Sequence, residues 1–126
     1  MSTEKELTTL PVAPLKLIVM ESCAELGSKV NDYIVQFRND AHNEHKEGFE
    51  FKGYLEDSYI VDSKCPRFGS GEAKGQILDS VRGTDLYILT DVCNNSITYK
   101  VFGHTNYMSP DNHFQDLKRI IAAAGS

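Results

Sequence analysis

Leu17-Ile18-Val19-Met20 restricts the fold more than any other stretch of this chain. Four apolar residues, two of them β-branched, stand between Lys16 and Glu21. The run is too short for a buried helix and lacks the alternation of a half-exposed strand, so it predicts a short strand covered on both faces. Directly after it, Ser22 and Glu25 have the spacing of a capping box, a serine cap with a glutamate three residues on. Leu26, Val30, Tyr33, Ile34 and Phe37 then recur at helical spacing on one face. A buried strand feeding an amphipathic helix is the first half of a βαβ unit, and it points to an α/β domain.

Further along, Arg38 to Gly48 is polar and without periodicity, which predicts an exposed loop. Between Phe49 and Asp62 the aromatic and β-branched residues predict strand pairing, most clearly at Tyr59 to Asp62. Phe68 to Gly75 is punctuated by glycines, and Gln76 to Val81 reads as another short strand. Leu86-Tyr87-Ile88-Leu89 is the clearest buried strand in the chain. Val92 to Met108 is polar and irregular, with room for a short hairpin around Tyr99 to Phe102. Ser109-Pro110 then marks a helix start, serine as cap and proline in the first turn, and Phe114, Leu117, Ile120 and Ile121 give that helix an apolar stripe. The chain stops as this helix ends, where a parallel α/β fold would continue into a strand. The expectation is a domain cut from a longer parent, although a terminal helix also finishes a small domain legitimately.

Charge narrows the partners. With a net charge of −5 over 126 residues and a pI near 5.3, the chain lacks the cationic footprint of a non-specific nucleic-acid or anionic-membrane binder. Met1 to Thr9 is polar, carries Glu4, Lys5 and Glu6, and has no apolar run behind a basic start. Residues 1–14 are therefore expected to be a flexible tail before a single domain over 15–126. Cys23, Cys65 and Cys93 are odd in number and widely spaced, with no C-x-x-C pair. Neither a disulfide framework nor a zinc site is indicated, and reduced thiols in a cytoplasmic protein are expected.

Four features could carry chemistry. Phe68-Gly69-Ser70-Gly71-Glu72-Ala73-Lys74-Gly75 has the glycines of a phosphate cradle, but such loops work where a strand meets a helix N-terminus. A strand follows here, so a hairpin turn is favoured. Ser80-Val81-Arg82-Gly83 sets a hydroxyl and a guanidinium two residues apart, able to hold an anion together. An ion pair of Arg82 with Asp79 or Asp85 explains the same residues equally well. His42, His45, His104 and His113 lack a carboxylate or cysteine at ligand spacing and are expected to be solvated loop histidines. Asp111-Asn112, in the first turn of the last helix, suits a cap.

Taken together, Phe68-Gly69-Ser70-Gly71-Glu72, Ser80-Val81-Arg82-Gly83-Thr84-Asp85 and the apolar Leu86 to Leu89 resemble the ribose-phosphate pyrophosphokinase family. That family shows an F-x-D-G-E loop, the same interval, then S-V-R-G-x-D and four apolar strand residues. The Leu17 strand and Glu25-Leu26 helix match its opening elements, and Asp111-Asn112 with Leu117-Lys118-Arg119 echo its next helix, so the likeness runs from Leu15 to Gly125. It implies a three-layer, phosphoribosyltransferase-like α/β domain with a mainly parallel sheet and an antiparallel hairpin.

The resemblance also implies a role. The family transfers the diphosphoryl group of ATP to the anomeric hydroxyl of ribose 5-phosphate, with magnesium, giving phosphoribosyl pyrophosphate and AMP. It implies that Phe68 flanks adenine and Glu72 frames it, with Ser70 beside them, at the edge of a neighbouring subunit's nucleotide site. Ser80 and Arg82 would hold a regulatory phosphate between copies of a homo-oligomer. Three departures stand out. Ser70 replaces the loop aspartate, Arg38 to Glu56 is inserted, and Val92 to Ser109 is longer than the family's link. The family's catalytic, pyrophosphate and ribose-phosphate loops lie beyond Ser126, so no catalytic residue is expected here and this chain alone is expected to be inactive. The other reading is a non-catalytic regulatory or subunit-association domain of the same fold.

Overall fold

A computed structural model describes residues 13–45, 53–68 and 72–125. Strand β1 is Leu15–Val19, and a 3-10 turn over Glu21–Cys23 leads into helix α1, Ala24–His45. The short strands β2 (Ser63–Lys64) and β3 (Gln76–Ile77) precede β4 (Asp85–Leu89). A hairpin of β5 (Thr98–Val101) and β6 (His104–Tyr107) then leads to helix α2, Pro110–Ala124. Helices with a small parallel sheet and antiparallel hairpins make an α/β fold.

The parallel pair predicted by the opening strand is β1 with β4, in the register Leu17 opposite Tyr87 and Ile18 opposite Ile88. Leu17 also bonds on its other side, donating its N–H to Tyr59 O (2.8 Å) and accepting from Val61 N–H (2.8 Å). The 59–61 segment thus lies parallel along the far edge of β1; its sequence predicted strand pairing, and Ile60 is the single bridge residue there. Leu17 and Ile18 are buried at 2 % and 0 % exposure, so β1 is covered on both faces. By contrast, β4 is not the fully buried strand its sequence suggests, because Tyr87 is 61 % exposed.

Side chains alternate across a strand, and the two sets meet different partners. Ile18 is buried with Val61 and Ile120 of α2, and Leu86, Ile88, Ile77 and Val81 pack around them. Leu15, Leu17, Tyr87 and Leu89 line a groove with Val30 and Ile34 of α1. In that second set the expected apolar stripe of α1 is largely uncovered. Leu26, Tyr33 and Phe37 are exposed, and among the described residues of α1 those that are buried are Gly27 and Asn31. Gly27 is needed for close packing, since a Cβ there would run into the Val19 side chain. Asn31 accepts the buried Tyr59 N–H at its Oδ1 (2.8 Å).

Two further local expectations are corrected. Ser22 and Glu25 form no capping box. Ser22 is buried and its hydroxyl accepts from Asp91 N–H (2.9 Å) and bonds the Thr90 hydroxyl (3.2 Å), while Glu25 faces Lys29 one turn on. Nor does Arg38 open a loop, because α1 continues to His45. Arg38 is held by Tyr54 O (3.0 Å) and lies over the rings of Tyr54 and Tyr59, which gives the polar last turns a tertiary anchor. Phe49 and Phe51 lie outside the described residues, as do residues 1–12 of the expected tail.

The predicted hairpin around Tyr99 to Phe102 is present as β5 and β6, joined through Phe102 and Gly103 at φ 50° and 80°. Two consecutive residues at positive φ are the signature of the tight turn that matches strand twist. Helix α2 starts as predicted. The Ser109 hydroxyl accepts from Asn112 N–H, and the Asn112 side chain accepts from Ser109 N–H (2.9 Å). Its inner face is not the predicted one, however. His113, Asp116 and Ile120 are buried, whereas Phe114 and Ile121 are about half exposed.

Candidate functional site

The glycine-punctuated stretch is a hairpin, as its context required. β2 and β3 pair antiparallel, Arg67 bridges Ala73, and Phe68 N–H donates to Glu72 O (2.7 Å). Phe68 and Glu72 therefore face each other at the hairpin's far end, and both are exposed, Phe68 at 51 %. Ser70 lies outside the described residues, with Gly69 and Gly71. Gly75 is glycine for packing, since a Cβ there would meet the main-chain carbonyl of Arg119 in α2.

Ser80 and Arg82 sit in the turn that enters β4. Thr84 N–H (3.2 Å) and hydroxyl (2.6 Å) both bond Val81 O, and Gly83 takes φ 74°. That positive φ at the third residue of a four-residue turn calls for glycine. The Ser80 hydroxyl accepts from Arg82 N–H (3.4 Å), and Asp79 Oδ1 accepts from Ser80 N–H (2.9 Å). Arg82 is exposed, and among the described residues it pairs with neither Asp79 nor Asp85. The ion-pair alternative for Arg82 is thus not what the fold adopts.

A second constellation was missed by the sequence reading. Beyond the carboxyl end of β1 lies a cavity of about 400 Å³, walled by the 20–22 segment, the β2 arm of the hairpin, the 97–99 segment and α2. Crevices at the carboxyl ends of strands are where α/β sheets bind ligands. Within this wall Arg67 Nη2 bonds Asp116 (3.3 Å to Oδ2), and Arg119 Nη1 bonds the other oxygen of the same carboxylate (2.5 Å). The Arg67 guanidinium also lies 4.2 Å over the Tyr99 ring. The side chains of Arg67 and Asp116 are 10 % and 9 % exposed. The Cys65 thiol lies in the same wall. Burial first, and the Asp116 carboxylate second, push its pKa up to about 11, against weaker opposing effects of Arg119 and Arg67.

His113 belongs here too, contrary to the expectation of solvated loop histidines. It is 3 % exposed, and its Nε2 bonds Asn94 O (2.7 Å). His42 lies within α1, and His104 is exposed on β6. The signal for the cavity was legible in part. His113, Asp116 and Ile120 fall at i, i+3 and i+7, a helical face that went unread because two of its three members are polar. Arg67 alternates with Phe68 on one arm, so one side chain turns inward and the next outward. Cys23 and Cys93 are free thiols, half-buried and exposed.

Among the described residues no three His, Cys, Asp or Glu side chains gather where they could hold a metal ion. No described helix is long and apolar enough to cross a membrane.

A family model described as the N-terminal domain of ribose phosphate pyrophosphokinase matches residues 15–126. No curated protein and no solved structure gives a match.

Proposed function

The chain belongs to the family of ribose phosphate pyrophosphokinase N-terminal domains, and from that membership we propose that it serves the transfer of diphosphate from ATP to ribose 5-phosphate in a longer parent. The family match over residues 15–126 carries this reading. The hairpin supports it, because Phe68 and Glu72 stand together and exposed at its end. In this reading Phe68 stacks on adenine bound by a neighbouring copy, and Glu72 frames the base. Ser70 removes the carboxylate that would accept the adenine amino group. Ser80 and Arg82 hold a regulatory phosphate, with the exposed guanidinium donating to the anion. Magnesium would enter with the ATP phosphates.

The finer features of the fold belong to the same proposal. A three-layer, phosphoribosyltransferase-like arrangement is supported by the opposite residue sets of β1 and β4 that meet α1 and α2. Self-association through this domain is supported by the exposed Leu26, Tyr33, Phe37 and Tyr87, since apolar patches of this kind mark contact surfaces. The protein is proposed to work in the cytoplasm. The 126 residues alone carry no catalytic group in this reading.

The test uses the assembled parent and the isolated chain side by side. AMP formation from ATP and ribose 5-phosphate is expected from the parent and not from the chain alone. Arg82→Ala is expected to weaken the response of the parent to added phosphate about tenfold, the loss of one charge-assisted contact. An inactive parent would favour the second reading, a non-catalytic association domain, which the exposed patch and Ser70 also suit. AMP made by the isolated chain would refute the assignment of catalysis to other residues.

A further inference from the structure

The cavity beyond β1 is distinct from the proposed nucleotide and phosphate sites, since Phe68, Glu72, Ser80 and Arg82 do not line it. Its charges cancel. Of the lining residues Lys64 and Arg67 are cationic, and Glu21 and Asp116 are anionic. Lys64 and Glu21 are exposed, one of each sign. Deeper in, one Asp116 oxygen takes up the Arg67 guanidinium, which also lies over the Tyr99 ring, and the other oxygen takes Arg119. The lining therefore carries no net charge. An ion entering it would give up hydration without a countercharge to replace it.

Apolar surface and one buried ring decide what fits instead. Val19, Met20, Ile97, Met108 and Ile120 supply the apolar part, two of them thioethers. Thioether sulfur makes favourable contacts with aromatic rings, so this wall suits a flat aromatic body. His113 supplies the polar point. It lines the cavity, is 3 % exposed, and bonds the Asn94 carbonyl oxygen through Nε2 (2.7 Å). A carbonyl oxygen only accepts, so in the neutral ring the proton sits on Nε2 and Nδ1 keeps a lone pair. Nδ1 has no hydrogen-bond partner among the described residues. It is not sealed off either, because no fully buried side-chain nitrogen or oxygen among the described residues lacks a partner. Acceptors this deep are nearly always satisfied, and this one calls for a donor that the chain does not supply.

We propose that this cavity binds a small neutral aromatic molecule carrying an N–H or O–H donor, the donor toward His113 Nδ1 and the ring against Met20, Ile97 and Met108. The volume of about 400 Å³ lies in the range of small-molecule sites. The place, beyond the carboxyl end of a parallel strand, is where α/β sheets take their ligands. Binding here is independent of the diphosphate-transfer reading, which uses none of these residues.

Probes that share one ring system test this. Indole has the donor, 1-methylindole lacks it, and indole-3-carboxylate adds a charge. Each is titrated into the isotopically labelled full chain and followed by NMR. The signals of Met20, Ile97 and Met108 locate binding, and the ring nitrogens of His113 report the hydrogen bond. Indole is expected to move all of these signals and to shift Nδ1 more than Nε2. 1-Methylindole is expected to bind about tenfold more weakly, the effect of one lost hydrogen bond. Indole-3-carboxylate is also expected to bind more weakly than indole. In His113→Phe, which keeps a ring and removes the acceptor, indole and 1-methylindole are expected to bind alike. If that variant does not fold, the ranking of the probes on the unaltered chain decides. The proposal is overturned if indole moves none of the wall signals up to its solubility, or if 1-methylindole binds the unaltered chain as well as indole does. Tighter binding of the carboxylate, or a preference for indole that persists without His113, overturns it too.

Discussion

The two sides of the β1–β4 pair are built from the same strands and are finished differently. Toward α2, Ile18, Leu86 and Ile88 meet Val61 and Ile120 in a closed apolar cluster, and the β2–β3 hairpin seals its margin with Gly75 against the backbone of α2. Toward α1, Leu17 is buried but Tyr87 is open, and the helix shows Leu26, Tyr33 and Phe37 to solvent. One helix is held by apolar packing. The other is held by a glycine fitted to Val19, by the Asn31 bond to Tyr59, and by Arg38 on two tyrosine rings. Apolar periodicity in a sequence therefore does not reveal by itself which surface it will cover.

The contrast is broken most strongly by truncating one residue on each side. Ile120→Ala is expected to cost about 2–5 kcal/mol in urea unfolding, through lost burial and the cavity left behind. Leu26→Ala is expected to stay within about 0.5 kcal/mol, because its side chain is exposed. Equal losses at the two sites would erase the distinction.

Asn31→Ala sharpens it next. The change strips the buried Tyr59 N–H of its acceptor and is expected to cost about 1–3 kcal/mol. Asn31→Asp, which keeps an acceptor oxygen in place, is expected to recover part of that loss. A further effect is pH-dependent and lies on the closed side. An ordinary cysteine pKa is 9.0, and Cys65 in the fold is raised to about 11. Above pH 9 the unfolded chain releases the thiol proton while the folded one retains it, so this contribution to stability is full below pH 9 and is lost as pH rises toward 11. Wild type and Cys65→Ser are expected to diverge in melting temperature over that window and to run parallel below it.

Much of the fold was legible because local chemistry decided it. The apolar run at Leu17, the Ser109 cap and the strands around Tyr99 each form what their residues favour in isolation. The proposed family hairpin was found by elimination, since no helix follows its glycines. The failures have one cause, which is partners distant in sequence. Ser22 has the spacing of a cap but is claimed by Thr90 and Asp91. Arg38 has the surroundings of a loop but is claimed by Tyr54 and Tyr59. Of the proposed site residues, Phe68, Glu72, Ser80 and Arg82 lie on turns and at a hairpin end, whose local geometry glycines and short spacings announce. The cavity with Arg67, His113 and Asp116 was legible only in the spacing of its α2 face, because it exists only once four separate segments meet.

The Ser22 linkage has a consequence in time. Its hydroxyl and carbonyl are bonded by residues 69 and 72 positions later, Asp91 and Asn94, and Asn94 in turn holds His113. β1 likewise waits for β4, with Leu17 opposite Tyr87. β1 is thus synthesised well before the partners that satisfy it, and closing so long a loop must precede the reward of pairing it. Until then β1 depends on α1, the helix with the least apolar cover. Formation of the 17–87 pairing is the step at which folding of this domain is expected to be slow.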